Sequence, residues 1–451
     1  MPSTDNAHPA FALISAAGLA LLVVVAKLPA TKLFNLDGLA LASGALILFV
    51  ASIVAAFAWR HMRASRRGRF FLLTAGLVAS TLVFVTADHV ALFALGWVAS
   101  GLILAALIGH SQGWEEAEAV SRSTRRLFLS CDAALVAGLA LLTTRFGTAS
   151  ISEIAASAAT APVHSMTLSA SLVAIAAVAR CALPPFSNWL LASMTAPTPV
   201  SALMHAGLVN AGGVVLLRFS GLFEASDTAR AALALIGVAG AVYGAAIMLV
   251  RPDVKRGLAG STVSQMGFMI LSCSLGAYAA ALWHLVAHGL FKAWLFLGSG
   301  ANARAPLTKL DNRATARSAL LATIVTLATV TVFVAAGLLD LRQGSFIPVT
   351  FAILTGFLTL TIMPAVTRRL QDTVRLAALG TALLVLHGIG LSVAQVLIGS
   401  NGPPLLPAAG HVAIAAFFLA LLAWQFLIVP RRAGFPPALY VSLLNAGTHR
   451  P

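Results

Sequence analysis

Residues 166–195 read MTLSASLVAIAAVARCALPPFSNWLLASMT. From Met166 to Leu183 the run is mostly apolar and carries one charge, Arg180. That is long enough to cross the hydrocarbon core of a bilayer as a helix. Pro184 and Pro185 then remove two successive backbone donors, which breaks a helix. Apolar character resumes at Phe186-Ser187-Asn188-Trp189-Leu190. Backbone groups freed inside a membrane must face protein or water. Broken helices near the midplane are a recurring feature of ion-transport sites. A plain packing kink is the competing reading.

The rest of the chain agrees with a membrane setting. Of 451 residues, 59% are hydrophobic and only 10% charged, and the mean hydropathy is +0.93. A soluble domain is about 25% charged, so this composition excludes a water-facing globular protein. The sequence is that of an all-α polytopic membrane protein, read as one integral membrane domain over 1–451. About 14 transmembrane helices are predicted, over 10–29, 36–59, 70–87, 89–109, 126–144, 166–195, 198–218, 229–250, 257–276, 278–300, 317–338, 346–365, 373–398 and 408–429. The alternation expected of an outer-membrane barrel is absent.

The net charge is +15. Nucleic-acid binding is the poorer explanation, because basic residues cluster in short loops after the even-numbered spans. Examples are Arg60, Arg66 and Arg69, then Arg122, Arg125 and Arg126, then Arg251, Lys255 and Arg256. The positive-inside rule places those loops and both termini in the cytoplasm, with the chain in a bacterial cytoplasmic (inner) membrane among its lipids. Lys27 and Lys32 are the exceptions. Cys131, Cys181 and Cys273 lie inside apolar runs without paired spacing, so neither a disulfide framework nor a metal knuckle is expected. Neither a P-loop nor a C-x-x-C-H haem motif occurs. No cleavage site follows the first apolar run, so a removed signal peptide is not expected.

An ionisable group inside a span is costly and points to function. Six stand out: Asp132, Arg180, His205, His284, His288 and Lys292. The last three are spaced i, i+4, i+8 and drift only about 80° around a helix, forming one stripe. Lys292 is flanked by Leu290-Phe291 and Ala293-Trp294-Leu295, so it must pair, snorkel or give up its proton. Histidine titrates near neutrality. The stripe therefore suits proton hopping, whereas a lone histidine is more often a hydrogen-bonded core residue. Zinc at His284 and His288 lacks an obvious third ligand, so no metal and no cofactor are expected in this chain. Arginine does not release its proton in a working cycle. Arg180 is therefore read as fixed charge, with Asp132 its candidate partner. His387 is assigned to packing, and Trp59, Trp97 and Trp114 to the aromatic belt at span ends.

Pro185-Phe186-Ser187-Asn188-Trp189-Leu190, followed by Ala196-Pro197-Thr198-Pro199-Val200-Ser201-Ala202-Leu203-Met204-His205-Ala206, resembles the signature of antiporter-like membrane subunits. Those subunits occur in respiratory complex I, multisubunit sodium/proton antiporters and membrane hydrogenases. Asp253-Val254-Lys255-Arg256 with Ser261-Thr262-Val263-Ser264-Gln265-Met266-Gly267 is similar to the next block. His284-Leu285-Val286-Ala287-His288-Gly289-Leu290-Phe291-Lys292-Ala293 is similar to the third. The resemblance covers roughly residues 70–305, with 306–451 as diverged C-terminal helices. It implies an antiporter-like fold and a proton path through His205, His284, His288 and Lys292.

The departures are specific. Where the family carries glutamate after Gly-Trp, this chain has Gly96-Trp97-Val98, and Arg180 replaces the usual lysine. The second broken helix of the family has lost its proline near Val332–Asp340, and Asp340 stands in for its terminal charged group. A diverged chain of this kind, short for the family, resembles the membrane subunit of the DAB inorganic-carbon transporters. That resemblance implies a large peripheral partner whose zinc site is like that of β-carbonic anhydrase, and bicarbonate accumulation driven by a cation gradient. The alternatives are a redox-complex subunit, a sodium/proton antiporter module and a purely structural membrane anchor.

Overall fold

The computed structural model describes residues 33–62, 64–111, 113–299, 316–337, 339–340, 342–362, 370–399, 401–427 and 435–448. The span expected over 10–29 lies outside these residues, as do the basic clusters at 304–313, 368–369 and 431–432. The described residues are helical with short connections. Among the described residues, eight stretches are long and apolar enough to cross a membrane, and four shorter apolar helices accompany them. Helix Val254–Ser274 is long enough as well, but its glycines and serines make it less apolar. The helices are apolar around most of their circumference, as lipid on one side and protein on the other require. Leu72 and Leu235, for example, are 74% and 72% exposed, which a membrane tolerates and water would not.

The chain divides into two compact units. One draws on Met1–Ser274, His284–Ala303 and Phe435–Pro451; the other on Leu275–Trp283 and Arg304–Gly434. The first unit begins with α1 (Gly38–His61), α2 (Ala64–Thr86), α3 (Val90–Ile108), α4 (Glu115–Phe146) and the short α5 (Ile151–Ala159). Asp37 caps α1, accepting from Ala40 N at 2.9 Å, and its carboxylate also pairs with Arg218.

The run 166–195 is broken as its prolines require. Helix α6 (Thr167–Arg180) stops, and α7 (Asn188–Ala192) restarts beyond Pro184-Pro185. The Trp189 indole turns back to donate to Ala179 O at 2.9 Å. Span 198–218, expected as one helix, is in three pieces. Helix α8 (Thr198–Ala206) ends before Gly207, a 3-10 turn covers Leu208–Asn210, and α9 (Ala211–Arg218) completes it. Residues 199–217 are all buried, so this interrupted segment lies inside the unit. The signal for the second break was Gly207 and Asn210 in an otherwise apolar run, without a proline to announce it.

Helix α10 (Ser220–Glu224) leads to α11 (Asp227–Val250) and α12 (Val254–Ser274). These two meet backbone to backbone through glycines. A Cβ at Gly267 would sit 2.6 Å from Gly237 O, and one at Gly244 would overlap Ser264 N and lie 2.6 Å from Gly260 O. Gly244→Ala should therefore force the pair apart and destabilise the protein by about 1–3 kcal/mol. Thermal unfolding in detergent would show this, and an unchanged midpoint would contradict the close packing.

Helix α13 (Tyr278–Gly298) contributes Tyr278–Trp283 to the second unit and its remainder to the first. The second unit continues with α14 (Ala316–Ala335), α15 (Phe346–Ile362), α16 (Leu370–Ile398) and α17 (Ala408–Leu427). Phe333, Val349, Ile353 and Leu391 form its core with Ala277 and Ala280. Helix α18 (Pro437–Leu444) belongs to the first unit, where Ala446 O accepts from the Arg251 guanidinium.

Candidate functional site

Among the described residues of the first unit, buried polar side chains gather at two places that matter for ion movement. The first is built around Arg180, the last residue of α6 before the proline break. Arg180 and Asp132 are 1% and 2% exposed, and Arg180 Nη2 donates to Asp132 Oδ2 at 2.9 Å. The same nitrogen donates to Trp97 O at 2.9 Å, and Nη1 lies 3.3 Å from Ser100 Oγ. The Trp97 indole donates to the other carboxylate oxygen at 2.5 Å. The guanidinium is sandwiched between aromatic faces, 4.5 Å from the Trp97 ring centroid and 4.4 Å from that of Phe128. Such faces attract a cation most strongly where water is excluded. Gly101 makes the room: a Cβ there would lie 2.7 Å from Arg180 Cζ.

Sequence reading brought Asp132 and Arg180 forward separately but placed Trp97 at a membrane interface. Trp97 is instead fully buried and completes the pair. The apolar run around it held no sign that its indole had a partner on α4. The carboxylate facing Arg180 comes from α4, while Val98 occupies the place after Gly96-Trp97 on α3.

The second grouping surrounds α13. Lys292 is 2% exposed. Its ammonium donates to Ser261 Oγ and to Leu258 O, the latter at 3.1 Å. No ion pair involves Lys292 among the described residues. The neighbouring hydroxyl, Thr262 Oγ1, lies 3.0 Å from His205 Nδ1. Ser261 and Thr262 both donate to Leu258 O, at 2.9 and 3.0 Å, so Lys292 on α13 and His205 on α8 contact adjacent α12 hydroxyls that share one acceptor. The His205 ring stacks on Phe296 at 4.1 Å between centroids. The His284 and His288 rings lie nearly parallel, 5.8 Å apart, as the i, i+4 spacing predicts.

Several buried polar atoms here have no hydrogen-bond partner among the described residues: Ser201 Oγ, His205 Nε2, Asn210 Oδ1 and His288 Nε2. Asn210 Nδ2 donates to Ala206 O at 3.0 Å across the α8–α9 break. Ser201, Asn210, Ser261 and Thr262 carry no charge, so their place among the ionisable groups has no signal in the sequence.

Asp340 and His387 lie in the second unit. The Asp340 carboxylate bonds within its own turn, accepting from Arg342 N at 2.9 Å. His387 Nδ1 accepts from the Trp283 indole at 2.8 Å. Among the described residues no three His, Cys, Asp or Glu side chains converge to hold a metal.

The family profile described as "NADH:quinone oxidoreductase/Mrp antiporter, TM" matches residues 87–361. A Bacillus anthracis protein named "Probable inorganic carbon transporter subunit DabB" is 36% identical over 285 residues, covering 62% of this chain and 56% of that protein. Its namesake in Bacillus subtilis (strain 168) is 38% identical over 272 residues, 59% of this chain and 54% of that one. The "NADH-quinone oxidoreductase subunit L" of Mycobacterium tuberculosis (strain ATCC 25618 / H37Rv) is 36% identical over 286 residues, 62% of this chain and 45% of that one. The chain spans about half the length of these curated relatives. The structure of the Mrp complex from Dietzia sp. DQ12-45-1b aligns with a TM-score of 0.64 over 96% of this chain and 55% of that chain, at 24% identity. That last likeness concerns the fold alone.

Proposed function

This chain belongs to the NADH:quinone oxidoreductase/Mrp antiporter membrane family, and from that premise we propose that it is the cation-conducting membrane subunit of an inorganic-carbon uptake system. The conducted ion is a proton. It moves along His284, His288 and Lys292 and passes through the Ser261–Thr262 hydroxyls to His205. A large peripheral partner with a zinc site like that of β-carbonic anhydrase carries out the CO2 chemistry. The complex sits in the bacterial cytoplasmic membrane, with both termini of this chain in the cytoplasm.

The observation that carries this reading is Lys292, buried and, among the described residues, bonded only to neutral acceptors. An ammonium held by a hydroxyl and a carbonyl, without a carboxylate, can pass its proton on. Hydroxyls can both donate and accept, so Ser261 and Thr262, which donate to Leu258 O, would relay it by rotating away from that carbonyl. The Arg180–Asp132–Trp97 assembly is a fixed charge element, because arginine keeps its proton. It sets the electrostatics near the broken helix and does not carry the ion.

The likeness to subunit L favours a second reading, a subunit of a redox-driven complex. The altered charge pair at Val98 and Arg180 speaks for the first. Purification of the full chain from its native membrane in mild detergent, with mass spectrometry of partners and a zinc assay, separates them. One large zinc-containing peripheral partner is expected. Several membrane subunits with iron–sulfur proteins would assign the chain to the redox complexes instead.

A further inference from the structure

A cleft of about 320 Å³ opens where the ends of α2, α3 and α4 meet. Its floor includes Leu102 and Ala106 of α3, and its rim carries Arg69 of α2 with Arg122 and Arg125 of α4. The one carboxylate in the lining, Glu118, is engaged locally: it accepts from Gly113 N at 3.1 Å and lies 3.8 Å from Arg122. Arg69 and Arg125 make no ion pair among the described residues. The cleft therefore carries an excess of positive charge.

Its level in the membrane follows from its neighbours. Helix α3 ends at Ile108, and Trp114, 46% exposed, precedes α4. The Arg67 guanidinium lies 5.2 Å from the centroid of the Trp59 ring. Tryptophan and arginine at helix ends mark the membrane–water boundary. Helix α4 has 32 residues, about 48 Å at 1.5 Å per residue, against a hydrocarbon core of about 30 Å. Its first turns project from the core, which puts Arg122 and Arg125 at headgroup depth.

We propose that this cleft binds the phosphate headgroup of an anionic phospholipid. Guanidinium groups match phosphate oxygens in charge and fork geometry. The floor comes from a membrane span, so the cleft offers apolar surface beside the charges, which suits a glycerol backbone and the start of an acyl chain. A free phosphate or bicarbonate ion would use the arginines and leave the floor unused. Topogenic positive charge asks only that arginines be present in the loop. It does not account for three of them, from two helices, converging over an apolar floor.

Native mass spectrometry of the full-length protein in mild detergent tests this, with phosphatidylglycerol and phosphatidylcholine as probes and inorganic phosphate as competitor. Wild type should retain phosphatidylglycerol in preference to phosphatidylcholine. Arg122→Gln/Arg125→Gln should lose about tenfold in that preference, the loss of one or two charge-assisted contacts. Ala106→Phe fills the floor and keeps every charge; it should also release the lipid. Both variants are compared at equal folded fraction by size exclusion, and Arg69→Gln replaces either one that fails to fold. Equal retention of the two lipids, or unchanged retention in all variants, would overturn the proposal. So would full displacement by millimolar inorganic phosphate together with indifference to Ala106→Phe, which would make the cleft a site for free anions.

Discussion

Lys292→Arg is expected to abolish ion-driven uptake while leaving the protein folded and assembled. Arginine keeps the positive charge and can still donate to Ser261 Oγ and Leu258 O, the two acceptors that hold the ammonium. It does not give up its proton in a working cycle. A role in packing or in fixed charge would therefore survive this substitution, and a proton-transfer role would not. A positioned proton-transfer group typically contributes 10²–10⁴-fold, so uptake should fall at least about a hundredfold. Lys292→Ala should fail equally. Ser261→Ala should also impair uptake, because it removes a hydroxyl of the proposed path, although the carbonyl still holds the ammonium. The measurement is cation-dependent bicarbonate accumulation by cells carrying the variant, normalised to complex recovered by purification. Wild-type accumulation with Lys292→Arg would remove Lys292 from the path and revive the structural-anchor reading.

Breaking the Arg180–Asp132 pair should be the most destabilising change in the protein. Arg180→Met leaves the buried Asp132 with the Trp97 indole as its remaining donor. Asp132→Leu strands a guanidinium that is 1% exposed. Removing one member of a buried ion pair costs about 3–5 kcal/mol, whereas replacing both by apolar side chains is often neutral or better. The double variant Arg180→Met/Asp132→Leu should therefore recover most of the thermal midpoint lost by either single one. Trp97→Phe keeps the ring face over the guanidinium but removes the donor to Asp132, and should cost about 1.5–3 kcal/mol. Single variants as stable as wild type would show that the pair does not hold the fold together. If the double variant regains stability without uptake, the two charges serve the transport cycle and not only the fold.

Much of this could be read from residue order alone. Long apolar runs with few charges dictate membrane-spanning helices, because lipid offers no partner to an open backbone. Pro184 and Pro185 dictate the break in 166–195, since each lacks the N–H that the helix needs. The 100° step of a helix puts His284, His288 and Lys292 on one stripe. The three family blocks identified the antiporter-like fold. These are local or periodic properties, and local rules are sufficient for them.

Partner choice between helices was not legible in the same way. A helix that is apolar on all sides gives no hint of which face meets which neighbour. That choice is made by close approaches such as Gly244 against Ser264 and Gly101 against Arg180, where the lack of a side chain sets the rotation and separation of a pair. Only the tertiary structure therefore took Trp97 from its expected interface into the Arg180 pair. In the same way it brought Lys292 and His205 to adjacent hydroxyls of α12 and interrupted 198–218 at Gly207–Asn210. The sequence by itself determined the helices, the proline break and the ionisable residues, because backbone hydrogen bonding and burial cost act residue by residue. The tertiary structure decided which of those residues touch, because contact between helices depends on their mutual rotation and separation, and those are properties of a pair of helices that neither one's own residues set.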